Sequence, residues 1–261
     1  MTTLGPLGAT HTALDSDTAV AVELEELGYD TLWLAGGQGN NLPRITEVIR
    51  GTSRIRVASG ILSVDRVPSA AVASAYAELP AGRFVVGLGG AHGARPLATL
   101  GDYLDEIEDV VPPSARILSA LGPRMLELAR DRASGAYPYL VTTDYVASAR
   151  EILGPDRQLA VLLNVVAETD VARAREVVRG GSLKFLAGVP GYAANFRRMG
   201  FTDADTADLS DRLVDGLTVW GDFDAVVARL REYRAAGADQ VVVPLDGLPR
   251  EWWAGLAEAL R

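Results

Sequence analysis

Short apolar runs rich in β-branched residues alternate with longer amphipathic stretches along almost the whole chain. Compact apolar runs bounded by turn residues predict strands, and apolar positions recurring three and four apart predict helices. Residues 4–9 read as the first strand, followed by a helix through AVAVELEELG (19–28) that stops at Gly28. TLWLA (31–35) is the second strand and LPRITEVIRG (42–51) its helix. RIRVASGIL (54–62) is the third, with Pro68 opening the next helix. RFVVGLGG (83–90) is the fourth strand, followed by a helix through 101–111. ARILSA (115–120) is the fifth, with a helix over 122–133, and GAYPYL (135–140) a weaker sixth, with a helix over 142–154. QLAVLLNVV (158–166) is the seventh, QVVVPL (240–245) the eighth, and EWWAGLAEAL closes the chain.

Strands separated by helices imply parallel pairing, because a parallel crossover needs a dozen or more residues. Eight such units in 261 residues predict a closed (β/α)8 TIM barrel, with an open doubly wound sheet as the alternative. The stretch 167–239 is longer than one crossover helix requires. It reads as a helical insertion before the last strand of a single domain spanning 1–261, since no linker composition bounds it.

Composition narrows the chemistry. There is no cysteine, so disulfides, thiolate zinc sites and cysteine nucleophiles are excluded. The formal charge is −9 and no basic cluster exceeds short groups such as Arg197-Arg198, which argues against a nucleic-acid partner. No apolar run reaches membrane-spanning length and MTTLGPLGAT has no signal-peptide pattern, so a cytoplasmic protein without a membrane partner is expected. The chain has no G-x-S-x-G elbow and no histidine pair at metal spacing, and its only lysine, Lys184, is far from any predicted strand end. A site short of its own nucleophiles and metals points to a cofactor.

In such a barrel, catalytic groups gather where the strands end and their βα-loops begin. His11 follows the first strand, Gly36 and Gly37 the second, and Ser59-Gly60-Ile61-Leu62-Ser63 ends the third. Gly90-Ala91-His92 follows the fourth, Leu121-Gly122-Pro123 the fifth, and Thr142-Thr143 the sixth. Both histidines of the chain thus fall on the rim, as proton-transfer groups or as hydrogen-bonded loop residues. Gly36, Gly37, Gly89 and Gly90 leave space for a flat ring, or are ordinary loop glycines. Gly87, Gly89 and Gly90 do not make a dinucleotide fingerprint, because the third glycine would fall on His92. Gly122-Pro123 and Thr142-Thr143 open two helices; the N–H groups of Arg124 and Met125 then face a phosphate, unless capping alone explains these residues.

Several stretches carry a resemblance: ELGYDTLWLAGG, SRIRVASGIL, AGRFVVGLGGAH, LSALGPRMLELARDRASGAYPYL, GYAANFRRMGF and AGADQVVVPL. In order along nearly the whole chain, they resemble the luciferase-like monooxygenase superfamily, and within it the F420-dependent oxidoreductases. The resemblance implies a barrel with an insertion before its last strand and a cofactor ring across the C-terminal mouth. It implies a non-prolyl cis peptide at Gly60-Ile61 pressing on the ring, a contact from Ser63, and a phosphate-bearing tail along Gly122, Pro123 and Thr142. His92 falls where some relatives keep an acidic proton donor. The chain departs from the family at Gly36-Gly37, where many relatives carry an acidic residue and a histidine. The reading that follows is an F420-dependent oxidoreductase transferring hydride to or from a small organic molecule, with His92 and then His11 as proton-transfer groups. An FMN-dependent monooxygenase and a cofactor-free binding barrel are the alternatives. Relatives pair through helices flanking the second and third strands, so a homodimer is expected.

Overall fold

The computed structural model describes residues 4–11, 17–36 and 39–261. Its strands in chain order are β1 (Leu7–His11), β2 (Thr31–Leu34), β3 (Arg56–Ser59), β4 (Leu62–Ser63) and β5 (Phe84–Gly89). They continue with β6 (Arg116–Leu118), β7 (Gly135–Ala136), β8 (Gln158–Leu162), β9 (Asn164–Val166), β10 (Thr218–Trp220) and β11 (Gln240–Pro244). β1, β2, β3, β5, β6, β7, β8 and β11 close into one ring of parallel strands, with β11 returning to β1 and β3 joined to β5. This is the (β/α)8 barrel that the alternating pattern predicts, with the strands in the predicted order.

Most helices form where the pattern and its punctuation place them; the helix after the fourth strand, expected through 101–111, instead starts at Pro96 and ends at Glu106. Leu42–Gly51 buries Leu42, Ile45, Val48 and Ile49 on one face and carries Pro43 in its first turn. Proline costs nothing there, because the missing N–H has no intrahelical partner anyway. Pro96–Glu106 and Pro123–Arg132 start the same way, and Thr142 caps Thr143–Leu153 by accepting the Tyr145 N–H. The helix Asp17–Leu27 ends at Gly28, whose φ of 90° a side chain would disfavour.

Two cores result. The larger lies between strands and helices, and takes one side of each strand: Leu7 and Ala9, Leu32 and Leu34, Phe84, Val86 and Leu88. The smaller fills the lumen with Leu4, Trp33, Ala58, Val85, Ile117, Tyr137, Ala160 and Val242. Trp33 and Tyr137 stack there with centroids 3.9 Å apart and planes 2° from parallel. From below, Trp33 Nε1 donates to Gln240 Oε1 (2.8 Å), and Gln240 Nε2 donates to Leu4 O (2.7 Å). The lumen is therefore plugged, not open. The ring is also sewn by a side chain at the β3–β5 seam. The β3–β5 ladder stops at Ala58 and Val85, and Ser59 Oγ then donates to Gly87 O (2.9 Å) and accepts the Gly87 N–H (2.8 Å).

Four expectations need correction. The first strand begins at Leu7, because Gly5 (φ 78°) and Pro6 hold the preceding residues out of the ladder. The third, read as 54–62, breaks after Ser59; β4 resumes beside the top of β5. The sixth shrinks to Gly135–Ala136 plus a bridge from Tyr139 to Leu162, since Pro138 has no N–H to give. The seventh splits, and β9 leaves the ring to pair with β10, whose residues TVW stand at the end of a stretch read as helical. The remainder of 167–239 is helical as expected. It packs its own small core of Val178, Leu183, Phe196, Phe201, Leu213, Val214 and Leu217 against Leu140.

Candidate active site

The loop after β3 shapes the mouth. The peptide between Gly60 and Ile61 is cis, as the resemblance implies. Gly60 N–H donates to Leu34 O (2.9 Å), and Gly36 N lies 3.4 Å from Gly60 O. A Cβ on Gly36 would collide with the Ile61 carbonyl, and one on Gly89 would come within 2.8 Å of Ser119 Cβ and 3.3 Å of Ile61 Cδ1. These two glycines admit protein backbone and the Ile61 side chain, so the space beside them is already filled. Gly90, with φ 72°, turns the chain over Ser63, whose Oγ lies 3.4 Å from Gly90 O. Gly37 lies outside the described residues.

The two histidines sit three strands apart around the ring, in opposite settings. His92 is exposed on the lip beyond β5, with Ala91 half-buried beside it. Its N–H donates to Asp65 Oδ2 (2.9 Å), and its Nδ1 is 2.6 Å from Gly90 O and 3.4 Å from the same carboxylate oxygen. A carbonyl oxygen only accepts, so Nδ1 carries the proton and neutral His92 presents Nε2 as a base. His11 is 7% exposed. It stands opposite Leu34, whose side chain faces the helices, so the imidazole points away from the lumen. His11 Nδ1 lies 2.8 Å from Asp246 Oδ1, which ties the end of β1 to the loop after β11. Asp246 also feels the Arg44 guanidinium.

A cavity of about 390 Å³ opens beside the mouth, between Pro123–Arg132, Thr143–Leu153 and the insertion helix Pro190–Arg198. Leu121, Pro123, Thr142, Tyr145, Asn195 and Arg198 are among the residues lining it. Two helix N-termini meet there. Met125 N–H is taken by Gly122 O (3.0 Å) and Tyr145 N–H by Thr142 Oγ1 (3.2 Å), so Arg124, Thr143 and Asp144 supply the first-turn N–H groups. Of the expected donors, Met125 therefore drops out. Asn195 is fully buried, and its Nδ2 has no partner, while its Oδ1 accepts from Arg198 Nε (3.3 Å) and Nη2 (3.2 Å). Arg198 also approaches Gly122, where a Cβ would lie 3.4 Å from Nη2. Tyr145 fixes the loop by donating to Ala120 O (3.1 Å) and Leu121 O (3.0 Å); burial raises its phenol and keeps it protonated. An orphaned buried amide beside a guanidinium and two helix dipoles is a setting for an anion. Asp144, exposed, is the one carboxylate among its lining residues.

Asn195, Arg198, Tyr145, Tyr137 and Asp65 were not among the residues singled out from the sequence. Asn195 and Arg198 stand three apart in GYAANFRRMGF, one helical face of a segment read only as scaffold. That spacing was the available signal.

Residues 1–112 match the family model described as luciferase-like monooxygenase. Solved structures extend a likeness in fold to the whole chain. The coenzyme F420-dependent tetrahydromethanopterin reductase from Methanopyrus kandleri is 16% identical, with 99% of this chain and 98% of that one covered and a TM-score of 0.69. An F420-dependent secondary alcohol dehydrogenase, in complex with an F420-acetone adduct, is 12% identical over 100% of both chains, with a TM-score of 0.71. The oxygenating constituent of 3,6-diketocamphane monooxygenase from Pseudomonas putida, in complex with FMN, is 16% identical over 98% and 97%, at 0.67. No curated protein matches the sequence. No helix among the described residues is long and apolar enough to cross a membrane, and none of their acidic or histidine side chains group as a metal site.

Proposed function

We propose that this luciferase-like barrel is an F420-dependent oxidoreductase acting on a small organic molecule. The observation that carries the reading is the anion cradle beside the mouth: the orphaned Asn195 amide, Arg198, and the first turns of Pro123–Arg132 and Thr143–Leu153. These groups fit the phosphate-bearing tail of a flavin or deazaflavin, and Asn195 Nδ2 gains its missing acceptor when they hold it. The F420-dependent enzymes among the similar structures support the deazaflavin, and the FMN complex keeps FMN as the competing cofactor.

When bound, the deazaflavin supplies or accepts the hydride; the protein's work is to hold and orient it and to manage a proton. Ile61 and the backbone at Gly36 form one wall of the mouth, and Ser63 stands beside it under Gly90. His92 exchanges the proton through Nε2, with Asp65 and Gly90 O orienting the ring from the Nδ1 side. His11, buried and turned outward, ties the end of β1 to the loop after β11 and takes no proton from the substrate.

Fluorescence titration of the purified protein with F420 and with FMN tests the proposal. Tighter binding of F420 is expected. Tighter binding of FMN converts the reading to the monooxygenase, and saturation by neither leaves a binding barrel.

A further inference from the structure

Tyr137 is a large polar side chain to which the proposed function gives no role. It is 4% exposed and stands in the lumen core, its ring flat against Trp33. Trp33 is in turn bolted through Gln240 to the Leu4 carbonyl at the bottom of the barrel. Tyr137 is thus placed by a rigid column and has little freedom to reorient. Its hydroxyl ends beside Gly60, 3.3 Å from where a Cβ on that residue would lie. The absence of a side chain at Gly60 is what brings the hydroxyl up to the loop that walls the mouth.

Buried polar groups are nearly always hydrogen-bonded. Tyr145 Oη donates to Ala120 O and Leu121 O, Tyr139 Oη pairs with Ser182 Oγ (2.9 Å), and Tyr233 Oη donates to Val141 O (2.8 Å). Tyr137 Oη has no such bond among the described residues, and it is not one of the sealed, partnerless polar atoms either. Its oxygen is therefore not completely sealed, and it ends at the level of the Gly60 loop. Burial pushes the phenol well above the usual tyrosine range, so it carries its proton and can donate.

We propose that Tyr137 Oη is the donor that binds a carbonyl on the rim of the flat cofactor ring, reading it from the floor of the mouth. The assignment rests on the flavin-type reading of the site. Flavins and deazaflavins both carry carbonyls on one edge, so the contact fixes how far the ring enters and which edge leads. It does not choose between the two cofactors. Phe at this position keeps the stack on Trp33 and removes only the hydroxyl.

The test compares wild type with Tyr137→Phe in three readouts: melting temperature without ligand, dissociation constants for F420 and FMN, and the visible absorption band of the bound chromophore. Expected for Tyr137→Phe are an unchanged melting temperature, because no protein hydrogen bond is lost, and binding weakened about fivefold, as for one neutral hydrogen bond. The bound chromophore's band should also shift, since a carbonyl on the ring loses its donor. If wild type binds and Tyr137→Phe matches it in affinity and spectrum, the assignment is overturned while the cofactor reading stands. An early-melting Tyr137→Phe overturns it too, by giving the hydroxyl a structural partner. Wild type that takes up neither cofactor overturns the reading and the assignment together.

Discussion

Asp65 and Glu25 show how a carboxylate's neighbours decide its use. Asp65 accepts the backbone N–H of His92 and faces its Nδ1, in the open, where a proton can come and go. If His92 exchanges the proton in turnover, His92→Ala should lower the turnover rate about 10²–10⁴-fold with cofactor affinity nearly unchanged. Asp65→Asn should lower it less, because the imidazole stays. Steady-state kinetics beside a binding titration separate these effects; a His92→Ala enzyme that keeps most of its turnover makes the residue a bystander. Glu25, by contrast, is 8% exposed and accepts the backbone N–H groups of Ser53 (3.1 Å), Arg54 (2.6 Å) and Ile55 (2.7 Å). Burial raises its carboxyl, but those three bonds and the Arg54 charge outweigh burial and leave it lowered. A lowered folded value means that its stabilisation is complete above the ordinary glutamate range and fades as pH falls through the folded value. Glu25→Ala should destabilise the protein by about 1.5–3 kcal/mol at neutral pH. The deficit should shrink in acid, which denaturant melts at two pH values read directly. A deficit equal at both would remove the carboxylate from the account.

Elements divide into those whose period reveals them and those whose partners do. The eight barrel strands and their helices were legible because strands buried on both faces leave dense apolar runs, and proline or capping threonine marks where helices begin. β4, β9 and β10 were not, since runs of two or three residues have no period and exist only through a neighbour's ladder. The rim followed from the fold, so His92, Gly60 and Thr142 could be named. Side-chain direction could not be: His11 sits on the rim and faces the helices, and Gly36 admits a carbonyl. The insertion was legible as helix and illegible as site, because Asn195 and Arg198 gain meaning only against two helix starts some fifty to seventy residues earlier. The cradle predicts a graded response. Arg198→Ala should weaken binding of a phosphate-bearing cofactor about tenfold or more, as a charge-assisted bond is lost. Asn195→Leu should weaken it less and leave the helix folded. Titrating FMN against riboflavin, which lacks the phosphate, isolates the anion: both variants should narrow the wild-type preference for FMN. An unchanged preference would move the phosphate elsewhere.

At the scale of the whole molecule, the exposed helix Ser69–Ala77 is out of keeping with its surroundings. It carries no charged residue and buries only Val72, while Ala70, Ser74 and Ala77 lie exposed at helical spacing. Surface helices ordinarily turn a charged face to water. A small, uncharged face instead allows a second helix to approach closely, and a second copy of this chain would bring the same face around a two-fold axis. Nine residues span only about 13 Å, too little for the roughly 800 Å² that each partner of a stable dimer buries. The helices packed on either side, Leu42–Gly51 and Pro96–Glu106, must then supply the rest. A homodimer centred on this helix follows as an expectation. Sedimentation at micromolar concentration should give twice the chain mass, and the melting temperature should rise with protein concentration, because association stabilises only the folded state. Ala70→Glu together with Ala77→Glu places four carboxylates across the axis and should yield a monomer that still binds cofactor. A wild-type monomer would remove the dimer, and a double variant that remains dimeric would move its interface to another face of the barrel.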